Sequence, residues 1–174
     1  MDNIGKPEIV TQKRVIDFFV NKLRYNYIGN LKDQENHNID EEKLVKWLTD
    51  HGYTEAIAVR AVEELVKAAT NMQEGLYTAN REVYQLLKYG AKIKENADEN
   101  ETTVYFINWE TPGENLFEIA EEVTVVANNE KRPDLVIYLN GIAVAVIELK
   151  KSPVSVSNGI RQNLTNQREM FIEP

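Results

Sequence analysis

The sequence predicts an α/β fold of the α+β class, in which a helical first half precedes a sheet. Up to about residue 90, apolar residues recur at the i, i+3, i+4 spacing of amphipathic helices. Beyond that point, short apolar runs alternate with clusters of turn residues, which is typical of strands. Two of these runs flank Asn140-Gly141, the dipeptide most typical of a β-hairpin. We therefore expect a single domain over residues 1–174, mainly helical over 1–92 and built on a sheet over 93–174.

Capping residues delimit the helices of the first half. Pro7 suits the first turn of a helix whose apolar stripe includes Val15 and Phe19. Asp40 is a good N-cap for a helix over residues 41–51, which Gly52 closes, and Thr54 caps the next helix. A further helix is expected over residues 80–89, ended by Gly90, whereas residues 24–39, rich in Gly and Asn, are predicted to form a loop.

The second half is predicted to hold strands and one closing helix. The polar run over residues 94–101 is expected to be a loop, followed by strands over 102–109 and 117–127. A cluster of turn residues over 111–115 separates these two strands. After the hairpin, a helix is expected from about Asn158, and the chain then ends at Pro174 without completing an element. We expect it to be a fragment of a longer protein.

Composition limits the class of protein. No apolar run approaches the roughly 20 residues needed to cross a bilayer, and no secretory signal is visible, so we expect a cytoplasmic protein without membrane contact. The sequence has no cysteine, which excludes disulfides and thiolate metal ligands. The net charge of −8 argues against a free-standing DNA-binding module, although it is also an ordinary charge for solubility.

The hairpin carries charges at its outer ends: Asp134 on one side, Glu148 and Lys150 on the other. Buried charges are costly unless they are paired or bind a metal, so a metal site is the simplest explanation. A two-residue loop would place Asp134 and Glu148 on opposite faces, whereas a three-residue loop, Leu139-Asn140-Gly141, or an equivalent bulge would place them on one face. We expect the latter. The alternative is an ordinary Glu148–Lys150 ion pair, with Asp134 a strand-start residue.

The pattern Pro133-Asp134…Glu148-Leu149-Lys150 resembles the PD-(D/E)xK nuclease superfamily. Longer segments resemble the restriction (R, HsdR) subunit of type I restriction-modification enzymes, near its N-terminus. These segments are residues 7–16, 80–90, 108–110, 148–152 and 159–164. The resemblance implies a restriction-endonuclease-like core, with a central mixed sheet flanked by helices.

The resemblance also implies roles for individual residues. Asp134, Glu148, the main-chain carbonyl of Leu149 and, directly or through water, Glu8 would hold Mg²⁺, the hard cation that carboxylate oxygens suit. Lys150 would orient the attacking water or stabilise the transition state. From its position alone, Glu8 is better explained as a first-turn carboxylate favourable to the helix dipole, and the resemblance reverses this preference. Gln12 either lines the same cavity or caps a polar edge.

One family motif is only half present. The family carries a Gln-x-x-x-Tyr signature on the helix after the hairpin. Gln162 matches its glutamine, but Asn166 stands at the tyrosine position, and the other register, Gln167 with Phe171, lacks the hydroxyl. We therefore assign Gln162 to the site and leave the role of Asn166 or Phe171 open.

The implied activity is Mg²⁺-dependent hydrolysis of double-stranded DNA, in an enzyme assembled with modification and specificity subunits. The ATP that such a subunit requires would bind elsewhere in the longer protein, since no Gly-x-x-x-x-Gly-Lys-Ser/Thr loop occurs here. The alternative is a non-catalytic docking domain that keeps a nuclease-like fold and mediates subunit assembly.

Overall fold

The computed structural model describes residues 8–32, 37–71, 73, 75–95, 100–126, 130–149, 160, 161 and 164. Apart from one early strand between the first two helices, its elements follow the predicted order of helices before strands. The helices and strands are α1 (Glu8–Asn21), β1 (Asn26–Asn30), α2 (Glu41–Asp50), α3 (Glu55–Thr70), α4 (Leu76–Tyr89), β2 (Ala91–Ile93), β3 (Thr102–Val104), β4 (Phe117–Glu121), β5 (Val125–Val126), β6 (Glu130–Lys131), β7 (Leu135–Leu139) and β8 (Ile142–Ile147). A 3₁₀ turn covers Pro112–Glu114, within the predicted turn cluster.

The main sheet of the described chain has four strands in the order β1-β4-β7-β8. Strands β1 and β4 are parallel, whereas β7 and β8 are joined by a tight hairpin and must be antiparallel, so the sheet is mixed. Strands β2 and β3 form a separate antiparallel pair, as do β5 and β6. The predicted α+β class with a mixed sheet is therefore confirmed.

The chain divides into two compact units. The first draws on the described residues of Met1–His37, Phe117–Tyr138 and Ala143–Glu173, and the second on those of Asn38–Leu116 and Leu139–Ile142. In the first unit, the ring of Tyr25 lies 5.0 Å from that of Phe19 and 5.1 Å from that of Phe117. These aromatic contacts fix the end of α1 against the start of β4.

The second unit contains a helical core whose caps were predicted correctly. Asp40 accepts a hydrogen bond from the Lys43 N–H at the start of α2, and Thr54 accepts one from the Ile57 N–H at the start of α3. Each cap satisfies a main-chain donor that the first turn leaves unpaired. The core that these helices build is fully or almost fully buried and includes Leu44, Leu48, Ala58, Ala61, Val62, Leu65, Val104 and Phe106.

Strand β1 corrects the prediction of a loop over residues 24–39. The segment is rich in Gly and Asn, but Asn26–Asn30 pairs with β4, and Gly29 stands where the register shifts, with φ +101°. A glycine in a strand often marks such an irregularity, so the feature that suggested a loop is a bulge signal. Pairing with a buried neighbour outweighed local propensity here.

Other elements also differ from the predictions, including the strand expected over residues 102–109, which ends at Val104. The strand expected over residues 117–127 is interrupted after β4 at Glu122, whose φ of +52° is incompatible with a continuing strand. Helix α4 begins at Leu76, four residues earlier than predicted, and β2 was not predicted at all. Of the helix expected from Asn158, the structure describes Ile160, Arg161 and Leu164, and each is helical.

The hairpin strands are not both central. Strand β7 is internal to the sheet, but β8 is its edge among the described strands, and Val144 on β8 is 47% exposed. Apolar residues at both odd and even positions of the two hairpin runs predict central strands that are buried on both faces, and this prediction is wrong for β8. Among the described helices, none is long and apolar enough to span a membrane.

Candidate functional site

The hairpin loop consists of two residues, Asn140 and Gly141, with φ of +54° and +90°. Positive φ at both positions is the type I′ geometry, which matches the twist of the flanking strands. The predicted three-residue loop is therefore wrong. The two-residue loop is held by the buried side-chain amide of Asn140. Its Nδ2 donates to Phe106 O at 2.8 Å and to Asn115 Oδ1 at 2.9 Å. Its Oδ1 accepts a hydrogen bond from the Leu116 N–H at 2.7 Å.

With a two-residue loop and a regular strand, the carboxylates of Asp134 and Glu148 would lie on opposite faces of the sheet. The packing of β8, however, indicates that the alternation of its side chains between the two faces shifts along the strand. Ala143 and Val146 both pack against the apolar cluster of the first unit, formed by Ala120, Val123, Val136 and Tyr138. Residues three apart on a regular strand point to opposite faces, so these contacts favour a bulge between them. Continued alternation from Val146 would put Glu148 on the face of Val136 and Asp134. The shared face of Asp134 and Glu148 stays a prediction, now resting on the bulge alternative.

Asp134 lies just before β7, after a fully buried Pro133, and is held from three sides. Its Oδ2 accepts a hydrogen bond from the Leu149 N–H at 2.5 Å. Its main-chain carbonyl accepts from the Glu122 N–H at 3.1 Å and from Nε2 of Gln12 at 3.4 Å. The structure thus joins the Pro-Asp end of the motif directly to the Glu-Leu-Lys segment.

Gln12 extends this arrangement to a carboxylate that the sequence analysis did not identify. The Gln12 side chain is only 3% exposed, and its Nε2 also donates to Glu121 Oε2 at 3.1 Å. The other oxygen of Glu121, Oε1, accepts from the hydroxyl of Tyr27 at 2.8 Å. Glu121 ends β4, so an acidic residue closing an apolar strand was the only signal in the sequence that could have suggested it.

The surroundings of Tyr27 raise the pKa of its hydroxyl group. Its pKa is raised to about 12, first by burial of the hydroxyl, then by its hydrogen bond to Glu121 and by the negative charge of that carboxylate. A phenolate beside Glu121 would place two negative charges together, so the neutral form is favoured. Tyr27 therefore remains a hydrogen-bond donor to Glu121 throughout the neutral range.

Helix α1 begins at Glu8, one turn before Gln12. Residues four apart lie on the same side of a helix, so the backbone puts Glu8 near the side from which Gln12 reaches Asp134. Several predicted site residues lie outside what the structure describes: the side chain of Glu8, and Lys150, Gln162, Asn166 and Phe171. Their predicted roles therefore stay predictions, as does convergence of Lys150 with Asp134.

The donor chemistry at the motif suits a hard cation such as Mg²⁺. Among the described residues, no three His, Cys, Asp or Glu side chains form a metal-binding group. Asp134, whose Oδ2 accepts the hydrogen bond from the Leu149 N–H, and the partly buried Glu148, which precedes Leu149 in the chain, nevertheless offer carboxylate oxygens. Both oxygens of Glu121 accept hydrogen bonds, so Glu121 is better suited to positioning than to ligation.

Comparison with known proteins places the chain in a family. Residues 6–173 match the family model described as type I restriction enzyme R protein N terminus. Over 126 residues, or 67% of this chain, the sequence is 28% identical to a protein of Methanocaldococcus jannaschii that is named as a putative endonuclease subunit of the type I restriction enzyme MjaIXP. Over 116 residues, or 64% of this chain, it is 28% identical to the type I restriction enzyme HindI endonuclease subunit of Haemophilus influenzae.

These matches cover 12% and 11% of the two relatives, so the chain spans only a small part of their length. The family match, in contrast, covers almost all of the chain and includes both halves of the Pro-Asp…Glu-x-Lys motif. The chain therefore belongs to the family of type I restriction enzyme R protein N termini.

Proposed function

We propose that this chain is the endonuclease domain of a type I restriction enzyme R subunit, of the PD-(D/E)xK kind, and hydrolyses phosphodiesters of double-stranded DNA with Mg²⁺. The observation that carries the proposal is the hydrogen bond from the Leu149 N–H to Asp134 Oδ2. It brings together two motif segments that are 15 residues apart in the sequence. Family membership supplies the reaction class, because both curated relatives are named as endonuclease subunits.

The roles of the residues follow from their chemistry. Asp134, Glu148, the Leu149 carbonyl and Glu8 would hold the cation. Bound Mg²⁺ supplies a water of lowered pKa and neutralises charge on the scissile phosphate. Lys150 would orient the attacking water and stabilise the developing negative charge, and Gln162 would contact the site or the DNA. Gln12 would position Asp134 through its carbonyl, with Glu121 and Tyr27 fixing the Gln12 amide.

Cleavage would require the rest of the enzyme. The ATP-dependent motor would belong to another part of the subunit, and modification and specificity subunits would bring the enzyme to its DNA in the cytoplasm. The alternative function, a nuclease-like docking domain for subunit assembly, requires no convergence of Asp134 with the Glu148–Lys150 segment. The presence of Asp134, Glu148 and Lys150 together favours catalysis over this alternative, because a docking role needs none of these side chains.

The test replaces the motif carboxylates in the assembled enzyme. Asp134→Asn and Glu148→Gln should each lower DNA cleavage by at least about a hundredfold, because each removes a negative charge that would hold the cation. ATP hydrolysis should be unchanged. The matched controls Asp17→Asn and Glu110→Gln alter exposed residues that are not part of the motif and should retain cleavage. Calorimetric binding of Mn²⁺ to the chain gives a second readout and should weaken only in the motif variants.

Two outcomes would contradict the proposal. Full cleavage by both motif variants would exclude a catalytic role for this hairpin. Loss of cleavage together with ATP hydrolysis would indicate failed assembly and would support the docking alternative.

A further inference from the structure

Helix α4 exposes a stripe of alternating aromatic and cationic side chains that the hairpin motif does not use. Tyr77, Arg81, Tyr84 and Lys88 stand at i, i+4, i+7 and i+11. At about 100° per residue, all four fall within about 60° of one another around the helix axis. All are exposed, Tyr77 at 80% and Tyr84 at 58%. We call these four residues the α4 stripe.

The opposite face of α4 explains why the stripe faces outward. Val83, Leu86 and Leu87 pack against the apolar core of the second unit. Burial of that face orients the helix, so the aromatic residues of the stripe are not the helix's contribution to the core. Isolated exposed aromatic residues need no explanation, but two that share a helix face with two cations call for one.

The C-terminal end of the stripe is organised. Nζ of Lys88 lies 5.5 Å from the ring centroid of Tyr84 and 5.1 Å from that of Tyr89. Beside it, the indole N–H of Trp109 donates to the Leu87 carbonyl at 3.0 Å, and Trp109 is 58% exposed. Cation–π contacts hold the ammonium group in place without neutralising it.

Whereas the chain as a whole is acidic, within α4 the stripe carries two cations and no carboxylate. Its flanks are the exposed, uncharged residues Asn80 and Gln85, and the only carboxylate in α4 is the partly buried Glu82. Glu82 lies about 140° around the axis from Tyr77, away from the stripe. A helix face with two cations and no acid, on a chain of net charge −8, is suited to an anionic partner.

We propose that the α4 stripe, with Tyr89 and Trp109, binds the phosphate backbone of double-stranded DNA. Arg, Lys, Tyr, Asn and Gln are side chains that commonly contact DNA phosphates, and the stripe and its flanks consist of these types. Arg81 and Lys88 are about 10 Å apart along the helix, and duplex DNA carries one charge per about 1.7 Å, so both can neutralise phosphates at once. The choice of DNA as the partner rests on the proposed function.

The test measures how salt weakens binding of the chain to a short duplex, by fluorescence anisotropy with EDTA present. Each phosphate contact contributes about 0.9 to the slope of log K against log salt concentration. The double variant Arg81→Gln, Lys88→Gln should therefore bind more weakly, with a slope shallower by about 1.8. The control Lys46→Gln, Lys67→Gln removes two exposed cations from α2 and α3, giving the same net charge, and should keep the slope of the unaltered chain.

The outcomes separate this inference from the nuclease assignment. Asp134→Asn should bind DNA with an unchanged slope while losing cleavage in the assembled enzyme. If Asp134→Asn still cleaves DNA but the stripe variant binds DNA with a shallower salt dependence, the nuclease assignment is wrong and the DNA-binding surface is supported. No salt-dependent binding by the unaltered chain, or equal slopes for the stripe and control variants, would overturn the inference. So would self-association that the stripe variant alone abolishes, since the surface would then serve a second copy of the chain.

Discussion

Gln12 links the first helix to the proposed catalytic segment through one side-chain nitrogen. Its Nε2 donates both to Glu121 and to the carbonyl of Asp134, and the side chain is too deeply buried for solvent to replace either bond readily. An unpaired buried acceptor costs about 1–3 kcal/mol, so the position strongly favours an amide side chain. The sequence left Gln12 open between a cavity residue and a polar cap. The hydrogen bonds show that its amide contacts the side chain of Glu121 and the main chain of Asp134.

The raised pKa of Tyr27 predicts a pH dependence of stability. Because its folded-state pKa is about 12 and its ordinary value is 10.0, the folded chain binds the phenol proton more tightly than the unfolded chain does. Its stabilising contribution is complete below pH 10 and is lost as the pH rises from 10 through 12. Urea unfolding of the unaltered chain and of Tyr27→Phe should show a difference in unfolding free energy that shrinks across this window.

A second tyrosine provides the comparison for Tyr27. Tyr77 is 80% exposed and has no described carboxylate partner, so Tyr77→Phe should leave the pH dependence of the unaltered chain intact. A stability difference for Tyr27→Phe that stays constant between about pH 9 and 12 would show that Glu121 does not hold the phenol proton.

The structure of the hairpin turn predicts that replacing glycine by alanine destabilises the chain more at Gly141 than at Gly52. A Cβ at Gly141 would lie 2.9 Å from the Asp40 carbonyl, at a φ of +90°. Gly52 has a similar φ of +95°, but the methyl group of an alanine there would have nothing within 4 Å. Gly52→Ala should therefore cost about 1–2 kcal/mol of unfolding free energy, the cost of left-handed backbone alone. Gly141→Ala should cost more, by the steric contact. Chemical unfolding measures both, and equal losses would contradict the close approach.

The helices were more predictable than the strands for a physical reason. The caps Asp40, Thr54 and Gly90 act within one helical turn, so the sequence shows them directly. Strand β1 exists through its partner β4, which is about 90 residues away, and nothing local to Asn26–Asn30 indicates that pairing. The Asn140-Gly141 turn was found, but its loop length depended on tertiary hydrogen bonds to residues 106, 115 and 116.

The burial pattern predicts where amide exchange is slowest across the molecule. In the second unit, Ala58, Ala61 and Leu65 on α3 are fully buried, and in the first unit Ala120 and Leu135 are fully buried. Local opening is least favourable where apolar contacts are densest, so these segments should exchange last. Hydrogen exchange followed by mass spectrometry should show faster exchange for α1 and for the edge strand β8. Slower exchange in β8 than in α3 would contradict this order.

The candidate site was predictable only where a motif carried it. Asp134 and the Glu148–Lys150 segment were found from their spacing, and the contact between Asp134 and Leu149 agrees with their proximity. Glu121 and Tyr27 could not be found, because their connection to Gln12 exists only after three distant elements pack together. The overall charge of −8 likewise conceals the α4 stripe, since a net value carries no information about where charges lie.

The turn at Asn140-Gly141 also bears on the chemical ageing of the chain. Asparagine is a thermolabile residue, and before glycine it is prone to deamidation, in which the following main-chain nitrogen attacks the side-chain amide carbon and ammonia leaves. Here the Asn140 amide is fully buried and its hydrogen bonds hold both of its polar atoms. The attack must wait until the turn opens. The rate at which aspartate accumulates at this position would therefore report how often the hairpin opens.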